Sequence, residues 1–180
     1  MRWAKQEPGL VCHLFVLAAV AAIAQIFYHF YGTVPMATHY EIMGLLGLWA
    51  AVSLVCQAMI RQDFNPTVVR KAWLAADGAL LTGALWIDEA WNSPLVFCYG
   101  LYVVASGLWF QVRLVWLTTL IAGVGYCLLV AAAAIQGGLG PSPQHHAITL
   151  IALILLGYMV ASQVNRVRAL SRYYEHRPRL

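Results

Sequence analysis

Six apolar runs separated by short polar segments constrain the fold of this chain more than any other feature. A helix that crosses a bilayer needs about 20 predominantly apolar residues, and the first, second, fifth and sixth runs reach that length. The third and fourth are shorter and gain length from polar and aromatic flanks. The sequence therefore predicts an all-α fold, a single polytopic six-helix membrane bundle, with helices at residues 10–30, 42–60, 72–87, 95–110, 114–135 and 147–164 and a cytoplasmic tail at 165–180.

Composition also favours a membrane location. Hydrophobic residues make up 62% and charged residues only 10% of the 180-residue chain, whereas a soluble domain has roughly 25% charged residues. The sequence contains no P-loop, zinc-protease motif, kinase catalytic loop or nucleophile elbow. It therefore predicts no catalytic activity for this chain on its own.

The Lys and Arg residues predict the orientation of the helices. All of them lie at the N-terminus, between the second and third runs, between the fourth and fifth runs, or in the tail: Arg2, Lys5, Arg61, Arg70, Lys71, Arg113, Arg166, Arg168, Arg172, Arg177 and Arg179. The opposite loops, at residues 31–41, 88–94 and 136–146, contain neither Lys nor Arg. Because cytoplasmic loops are enriched in these residues, both termini are predicted to be cytoplasmic. The net charge of +4 then reflects topology and lipid head groups, and no nucleic-acid partner is predicted.

Asp77 is the only acidic residue inside a predicted span. An acid at the centre of a membrane helix costs about 2.5–3.5 kcal/mol, so such residues face the bundle interior and find a partner. Two roles fit: an acid that senses a proton or ligand and transmits a signal, or a structural hydrogen bond that fixes the order of the helices. The candidate partners at matching depth are Ser53, Gln57, Ser106, Thr118, Thr119, Ser162, Gln163 and, through its long side chain, Arg113.

The histidines and cysteines do not form a clear cofactor site. His29 and the pair His145 and His146 share the predicted outer boundary, which leaves an outer haem or metal as a lesser alternative, although adjacent helical side chains point about 100° apart. Solvated interfacial imidazoles are the simpler interpretation. The four cysteines form no CxxC pair and lie in apolar runs, so buried free thiols are predicted. We expect no cofactor and no metal.

Two loops carry signals for the start of a helix. Thr67 follows Asn65 and Pro66 and is predicted to cap the third helix. In the outer turn IDEAWNSP, at residues 87–94, Ser93 fits an N-cap followed by Pro94 at the first helical position. A direct contact between this turn and a ligand is the second interpretation.

Several motifs between residues 70 and 177 carry a family resemblance. They are the basic start Arg70-Lys71, the acid Asp77, the turn Ser93-Pro94-Leu95, the aromatic stretch SGLWFQVRLVWLTT at 106–119 and the basic exit RVRALSRYYEHRP at 166–178. This region resembles the membrane input region of sensor kinases that detect bacterial diffusible fatty-acid signals. It is still more similar to the membrane module of certain bacterial, notably planctomycete-type, serine/threonine kinases. The first two helices match these families only in hydropathy.

The resemblance implies a sensory or regulatory domain in the bacterial cytoplasmic membrane, although the sequence contains no kinase domain. A fatty-acid-like or other amphiphilic ligand would enter between helices, and the sixth helix would pass the change to a cytoplasmic kinase-type output. The candidate ligand-contacting or signal-transmitting residues are Asp77, Ser93, Pro94, Ser106, Trp109 and Arg113.

Two other classes of function stay open at this stage. The chain fits a non-catalytic accessory subunit that packs against a larger membrane complex. Less well, it fits a small haem- or quinone-binding redox protein. The expected partners are membrane lipids together with a fatty-acid-like ligand, a cytoplasmic kinase, a larger membrane complex or a second copy of the chain in a homodimer.

Overall fold

The structure, a computed structural model, describes residues 8–31, 35–62, 64–88, 94–135 and 143–175. All regular secondary structure in these ranges is helical, which confirms the all-α fold class. The helices are α1 (Pro8–Tyr31), α2 (Met36–Arg61), α3 (Pro66–Ile87), α4 (Cys98–Ser106), α5 (Val112–Ile135) and α6 (Pro143–Glu175), with short 3₁₀ helices at Pro94–Phe97 and Gly107–Trp109. The chain divides into two compact units, unit 1 (Met1–Asp88) and unit 2 (Glu89–Leu180).

Three of the described helices are long and apolar enough to cross a membrane, judged by length and composition: Met36–Arg61, Val112–Ile135 and Pro143–Tyr174. Two shorter apolar helices occur at Leu17–Phe30 and Leu95–Trp109. The chain therefore has the character of a multi-pass membrane protein. Six spans with both termini in the cytoplasm stay a prediction.

Large apolar side chains cover the outer faces of the helices. Phe30, Leu101 and Ile135 are 82%, 68% and 87% exposed, and many other Leu, Ile, Val and Phe residues are more than half exposed. Soluble monomers rarely expose apolar patches larger than a few hundred Å². A surface of this kind suits the hydrocarbon interior of a bilayer.

In unit 1, a tight turn joins α2 to α3. The Asn65 side chain accepts a hydrogen bond from the Thr67 backbone N–H at 3.1 Å, and Pro66 begins the helix. The prediction that Thr67 caps α3 is therefore wrong. Asn65 takes that role because Pro66 lacks an N–H and suits the first helical position.

Helix α2 packs against both α1 and α3, and α2 and α3 run antiparallel. The antiparallel register follows from two contacts: Trp49 meets Asp77, and the Leu45 side chain lies closest to Gly83. The buried apolar residues of α3 recur at helical spacing, at Val69, Trp73, Leu74, Leu81 and Leu85. They form the stripe that faces the rest of unit 1.

In unit 2, helices α4, α5 and α6 pack against one another. The turn between α4 and α5 is closed by Phe110, which is left-handed with φ 51°. Phe110 is the one non-glycine residue with positive φ in the described ranges. A left-handed conformation costs a residue with a Cβ about 1–2 kcal/mol, so the packing of the two helices holds the turn in this form.

Small residues allow close approach of the helices in unit 2. A Cβ added to Gly157 on α6 would collide with the Thr119 side chain on α5, and one added to Gly107 would come within 2.8 Å of Val160 Cγ1. Close backbone approach at small residues is the usual way in which membrane helices associate. These glycines therefore fix how near α6 lies to its neighbours.

The fourth apolar segment is short in residues but not in length. Its α-helical part has 9 residues, and it is flanked by 3₁₀ helices of 4 and 3 residues. A 3₁₀ helix rises about 2.0 Å per residue against about 1.5 Å in an α-helix, so the segment covers about 28 Å. That length approaches the roughly 30 Å hydrocarbon core of a bilayer.

Helix α6 is much longer than a single crossing requires. Its 33 residues extend over about 50 Å, which is about 20 Å more than the hydrocarbon core. The predicted tail at 165–180 thus continues the helix as far as Glu175. In this part Val167, Leu170 and Tyr174 are 45%, 57% and 65% exposed.

Three of the four cysteines have described side chains, and each lies in a different environment. Cys56 is buried, Cys98 is half-buried and Cys127 is exposed, and all three are free thiols. The side chain of Cys12 lies outside the described part of the chain. The prediction of a buried thiol is correct for Cys56 and wrong for Cys127. Cys127 lies in an apolar helix on a face that no neighbouring helix of the chain covers, a difference that hydropathy alone does not reveal.

Candidate functional site

The candidate site is the contact between α2 and α3 at Asp77. Asp77 lies midway along the 22-residue helix α3 and is only 7% exposed. The helix begins earlier than predicted, at Pro66 instead of near residue 72, so Asp77 is further from its start than the sequence suggested. A buried carboxyl group at this depth requires polar partners.

Trp49 on α2 supplies one such partner. Its indole Nε1–H donates a hydrogen bond to Asp77 Oδ1 with an N···O distance of 2.6 Å. The distance is short for an N–H···O hydrogen bond. Because Trp49 and Asp77 lie on different helices, this bond fixes the register between α2 and α3.

A stripe of polar side chains continues from Trp49 along the same face of α2. Ser53 and Gln57 follow at intervals of four residues, the spacing that aligns side chains on a helix. Ser53 is fully buried, and its hydroxyl donates to the Trp49 carbonyl at 2.9 Å. We call Trp49, Ser53, Gln57 and Asp77 together the polar seam.

Gln57 is the anomalous member of the polar seam. It is 3% exposed, and neither its Nε2 nor its Oε1 has a hydrogen-bond partner in the part of the chain that the structure describes. A buried donor or acceptor without a partner costs about 1–3 kcal/mol. Such a group in a native structure requires an explanation.

The geometry of the hairpin brings Gln57 and Asp77 towards each other. In the antiparallel pair, Gln57 lies about two turns beyond the level of Asp77, towards the end of α2. Helical side chains lean towards the N-terminus of their own helix, so Gln57 leans towards the level of Asp77 and Asp77 leans towards that of Gln57. Cys56, which precedes Gln57 on α2, lies close enough to Asp77 for the two side chains to interact electrostatically.

One end of unit 1 is basic. Arg61 is in the last turn of α2, and Arg70 and Lys71 lie near the start of α3, so the turn between the helices places them at the same end. The described part of the opposite end carries Glu41 and Asp88 and no Lys or Arg. The polar seam therefore lies between a basic and an acidic end of the unit.

Three of the other predicted site residues lie in unit 2. Ser106 is 2% exposed; it donates to the Val103 carbonyl at 2.6 Å and accepts from Thr118 Oγ1 at 2.9 Å. Trp109 ends the 3₁₀ helix after α4 and is half-buried, while Arg113 is exposed at the start of α5. Ser106 is thus a hydrogen-bonding residue between α4 and α5.

The outer turn is only partly described. Ser93 lies outside the described residues. Pro94 is the first residue of a 3₁₀ helix, the position for which its fixed φ is suited. Whether this turn contacts a ligand stays a prediction.

Some of the predicted candidate partners of Asp77 belong to unit 1 and others belong to unit 2. Ser53 and Gln57 belong to the polar seam. Thr118 and Thr119 lie in unit 2, where Thr118 pairs with Ser106 and Thr119 donates to the Val115 carbonyl at 2.8 Å. The predicted candidates Ser162 and Gln163 also belong to unit 2, on α6.

Trp49 is the partner of Asp77 that the sequence analysis did not select. Tryptophan is commonest at the membrane boundary, so its presence in an apolar run does not by itself indicate a contact with a buried acid. The signal that identifies Trp49 is its spacing, four residues before Ser53 and eight before Gln57 on one face of α2. Trp73 on α3 is also buried, at 2% exposure.

Two of the histidines contact tyrosines. His39 is buried and stacks on Tyr28 with ring centroids 4.0 Å apart at an angle of 15°. In unit 2, His146 Nδ1 lies 2.8 Å from Tyr126 OH. In the described ranges, no three His, Cys, Asp or Glu side chains are grouped as a metal site would require.

Comparison with known proteins leaves the site to be interpreted from its own chemistry. No family model, curated protein or solved structure matches the chain. The polar seam combines an acid held by an indole N–H with an amide whose hydrogen-bonding capacity is unmet. That arrangement is suited to binding a polar group between two helices and to exchanging hydrogen-bond partners when it does so.

Proposed function

We propose that this chain is a membrane-embedded sensory or regulatory domain of a bacterial signalling protein. It crosses the cytoplasmic membrane six times with both termini in the cytoplasm, and it responds to an amphiphilic ligand that enters between helices. The observation that carries the proposal is the polar seam, in which the Trp49–Asp77 hydrogen bond and the unmet amide of Gln57 lie about two turns apart along α2.

The distribution of charge supports the orientation. In unit 1 the described basic residues, Arg61, Arg70 and Lys71, share one end of the α2–α3 hairpin. In unit 2, Arg113 begins α5 and Arg166 and Arg168 lie towards the end of the antiparallel helix α6, so they also share one end. Each unit therefore has one basic end, and the positive-inside preference favours a cytoplasmic position for that end.

Helix α6 provides the route to an output. It extends about 20 Å beyond a single crossing, with exposed Arg166, Arg168 and Arg172. A continuous helix is a rigid element. When it shifts between two arrangements, it transmits the displacement or rotation along its length. A cytoplasmic kinase-type partner would contact this extension.

Purification from native membranes followed by native mass spectrometry tests the proposal. The wild type, Asp77→Asn and Asp77→Leu are compared, with the exposed Glu41→Gln as a control for removal of an acid. Asparagine can still accept from the Trp49 indole, so Asp77→Asn should fold normally. We expect it to lose a retained amphiphile or a bound cytoplasmic partner, because the charge of the site is gone.

Two results would count against sensing. If Asp77→Asn retains ligand and partner while only Asp77→Leu fails to assemble, Asp77 is a structural contact. If the protein instead co-purifies in fixed stoichiometry with a large membrane complex and carries no amphiphile, it is an accessory subunit. Topology is checked separately by labelling single cysteines introduced at each end of each helix.

A further inference from the structure

Gln57 is buried, yet both halves of its carboxamide lack a hydrogen-bond partner among the described residues. A primary amide presents one acceptor oxygen and a donor nitrogen side by side. A single group that offers a donor next to an acceptor satisfies both atoms at once. The unmet capacity therefore specifies the kind of head group that would fit beside it.

We propose that Gln57 is the head-group contact of the ligand site in the polar seam and that it selects an uncharged head group carrying a hydrogen-bond donor next to an acceptor, as an amide does. The inference deepens the proposed function and rests on its amphiphilic ligand. The chemical class of that ligand is inferred from Gln57, a residue other than Asp77.

Charge and hydrogen-bonding capacity exclude the other classes of head group. Burying an anion in an enclosed site of low dielectric constant is costly, and an anionic head group offers only acceptors, which leaves Oε1 unmet. A quaternary ammonium ion has no acceptor and no donor and leaves Gln57 unmet. An ester offers only acceptors, so it satisfies Nε2 and leaves Oε1 unmet.

Binding at Gln57 would also move the helices. Its polar atoms are enclosed in this structure, so a head group reaches them only if the groups packed around this part of α2 move apart. The Trp49–Asp77 bond ties α2 to α3 about two turns away and would be loosened if α2 shifts. Recognition at Gln57 is thus coupled to the contact that the proposed function assigns to signalling.

Binding of four twelve-carbon probes tests the inference on the full chain in lipid nanodiscs. The probes are dodecanamide, methyl dodecanoate, dodecyltrimethylammonium and dodecanesulfonate, each titrated while the thermal unfolding midpoint is followed. The amide forms one hydrogen bond more than the ester and leaves no polar atom of Gln57 unmet, a difference that corresponds to about a tenfold gain in affinity. We therefore expect dodecanamide to bind the wild type about tenfold more tightly than methyl dodecanoate, with the two charged probes weaker still.

Variants at Gln57 and a matched control complete the design. Gln57→Leu and the more flexible Gln57→Met should lose the preference for dodecanamide, while the exposed Gln62→Leu should keep it. Equal binding of all four probes, or a preference that survives in folded Gln57→Leu, overturns the inference. Either result would mean that the Gln57 amide binds an enclosed water molecule and not the head group of a ligand.

Failure of this inference is distinguishable from failure of the proposed function. If dodecanamide is selected through Gln57 but Asp77→Asn changes neither retained ligand nor partner, the ligand class stands and signalling through Asp77 does not. If Asp77→Asn abolishes the response while the probes bind equally, the sensory role stands and the assignment of Gln57 is wrong.

Discussion

The polar seam of unit 1 and the Ser106–Thr118 contact of unit 2 both bury polar side chains between helices, but they do so differently. In unit 2 the hydroxyls donate to one another or to carbonyls one turn back in the same helix. In unit 1 a carboxyl group is buried and an amide is left unmet. A contact that only holds helices together needs no unmet group, so the difference marks unit 1 as the place where binding chemistry is to be sought.

The largest expected effect comes from the close packing of unit 2. Gly157→Leu should destabilise the protein by about 3 kcal/mol, because overpacking forces neighbouring groups apart and the Thr119 side chain already occupies the space next to Gly157. Unfolding in mixed micelles measures the change. Gly123→Leu on α5 is the control, since a Cβ there meets nothing within 4 Å. Equal losses in both variants would show that α5 and α6 do not approach closely at Gly157.

Removing the indole donor from the polar seam should have the next largest effect. Trp49→Phe keeps the aromatic bulk but leaves Asp77 without the 2.6 Å bond, and removing one partner of a buried hydrogen bond costs about 1–3 kcal/mol. We expect a loss of about 2 kcal/mol in the same unfolding assay. Trp86→Phe, at a 53% exposed position of α3, should change stability by less than about 0.5 kcal/mol. A neutral Trp49→Phe would mean that the bond does not hold the hairpin.

Gln57→Leu should stabilise the protein instead of destabilising it. Replacing an amide whose atoms are both unmet by an apolar side chain of similar size removes a desolvation penalty. We expect the variant to be more stable by about 1 kcal/mol in nanodiscs without added amphiphile. Gln62→Leu, at an exposed position after α2, should be close to neutral. A destabilised Gln57→Leu would show that the amide already has a partner.

The smallest effect is expected at the hydroxyl pair of unit 2. Interhelical hydrogen bonds in membrane proteins contribute on average about 0.6 kcal/mol, and Thr118→Val removes one while preserving shape. A double-mutant cycle with Ser106→Ala measures the coupling directly. Thr149→Val removes a hydroxyl that donates to the His145 carbonyl of its own helix and serves as reference. A coupling energy above about 2 kcal/mol between Ser106 and Thr118 would remove the contrast between the polar seam of unit 1 and the hydroxyl pair of unit 2.

The sequence predicted the class of fold and the main acid of the site. Hydropathy alone was sufficient for the all-α architecture, and the cost of burying an acid was sufficient to select Asp77 and to place it inside the protein. Ser53 and Gln57 were also selected as candidates by depth. Hydropathy does not predict which of these candidates contact each other, because such contacts depend on helix register and on the reach of individual side chains.

Particular residues show where this limit lies. The Trp49 indole reaches Asp77 across the hairpin, whereas tryptophan is commonest at the membrane boundary. Ser106 and Thr118, both predicted candidates for contact with Asp77, form a hydrogen bond with each other in unit 2. Thr67 was named as a cap, and the preceding Asn65 caps the helix because Pro66 occupies its first position.

The 3₁₀ helices that flank α4 give the fourth segment an adjustable length. They hold 4 and 3 residues, and each residue rewound into α-helix shortens the segment by about 0.5 Å. Full rewinding changes its length by about 3.5 Å with no change in sequence. Cell membranes differ in hydrocarbon thickness by a few Å. Membrane crossing by this segment is a prediction, and rewinding of this kind would let a crossing segment match bilayers of different thickness without tilting.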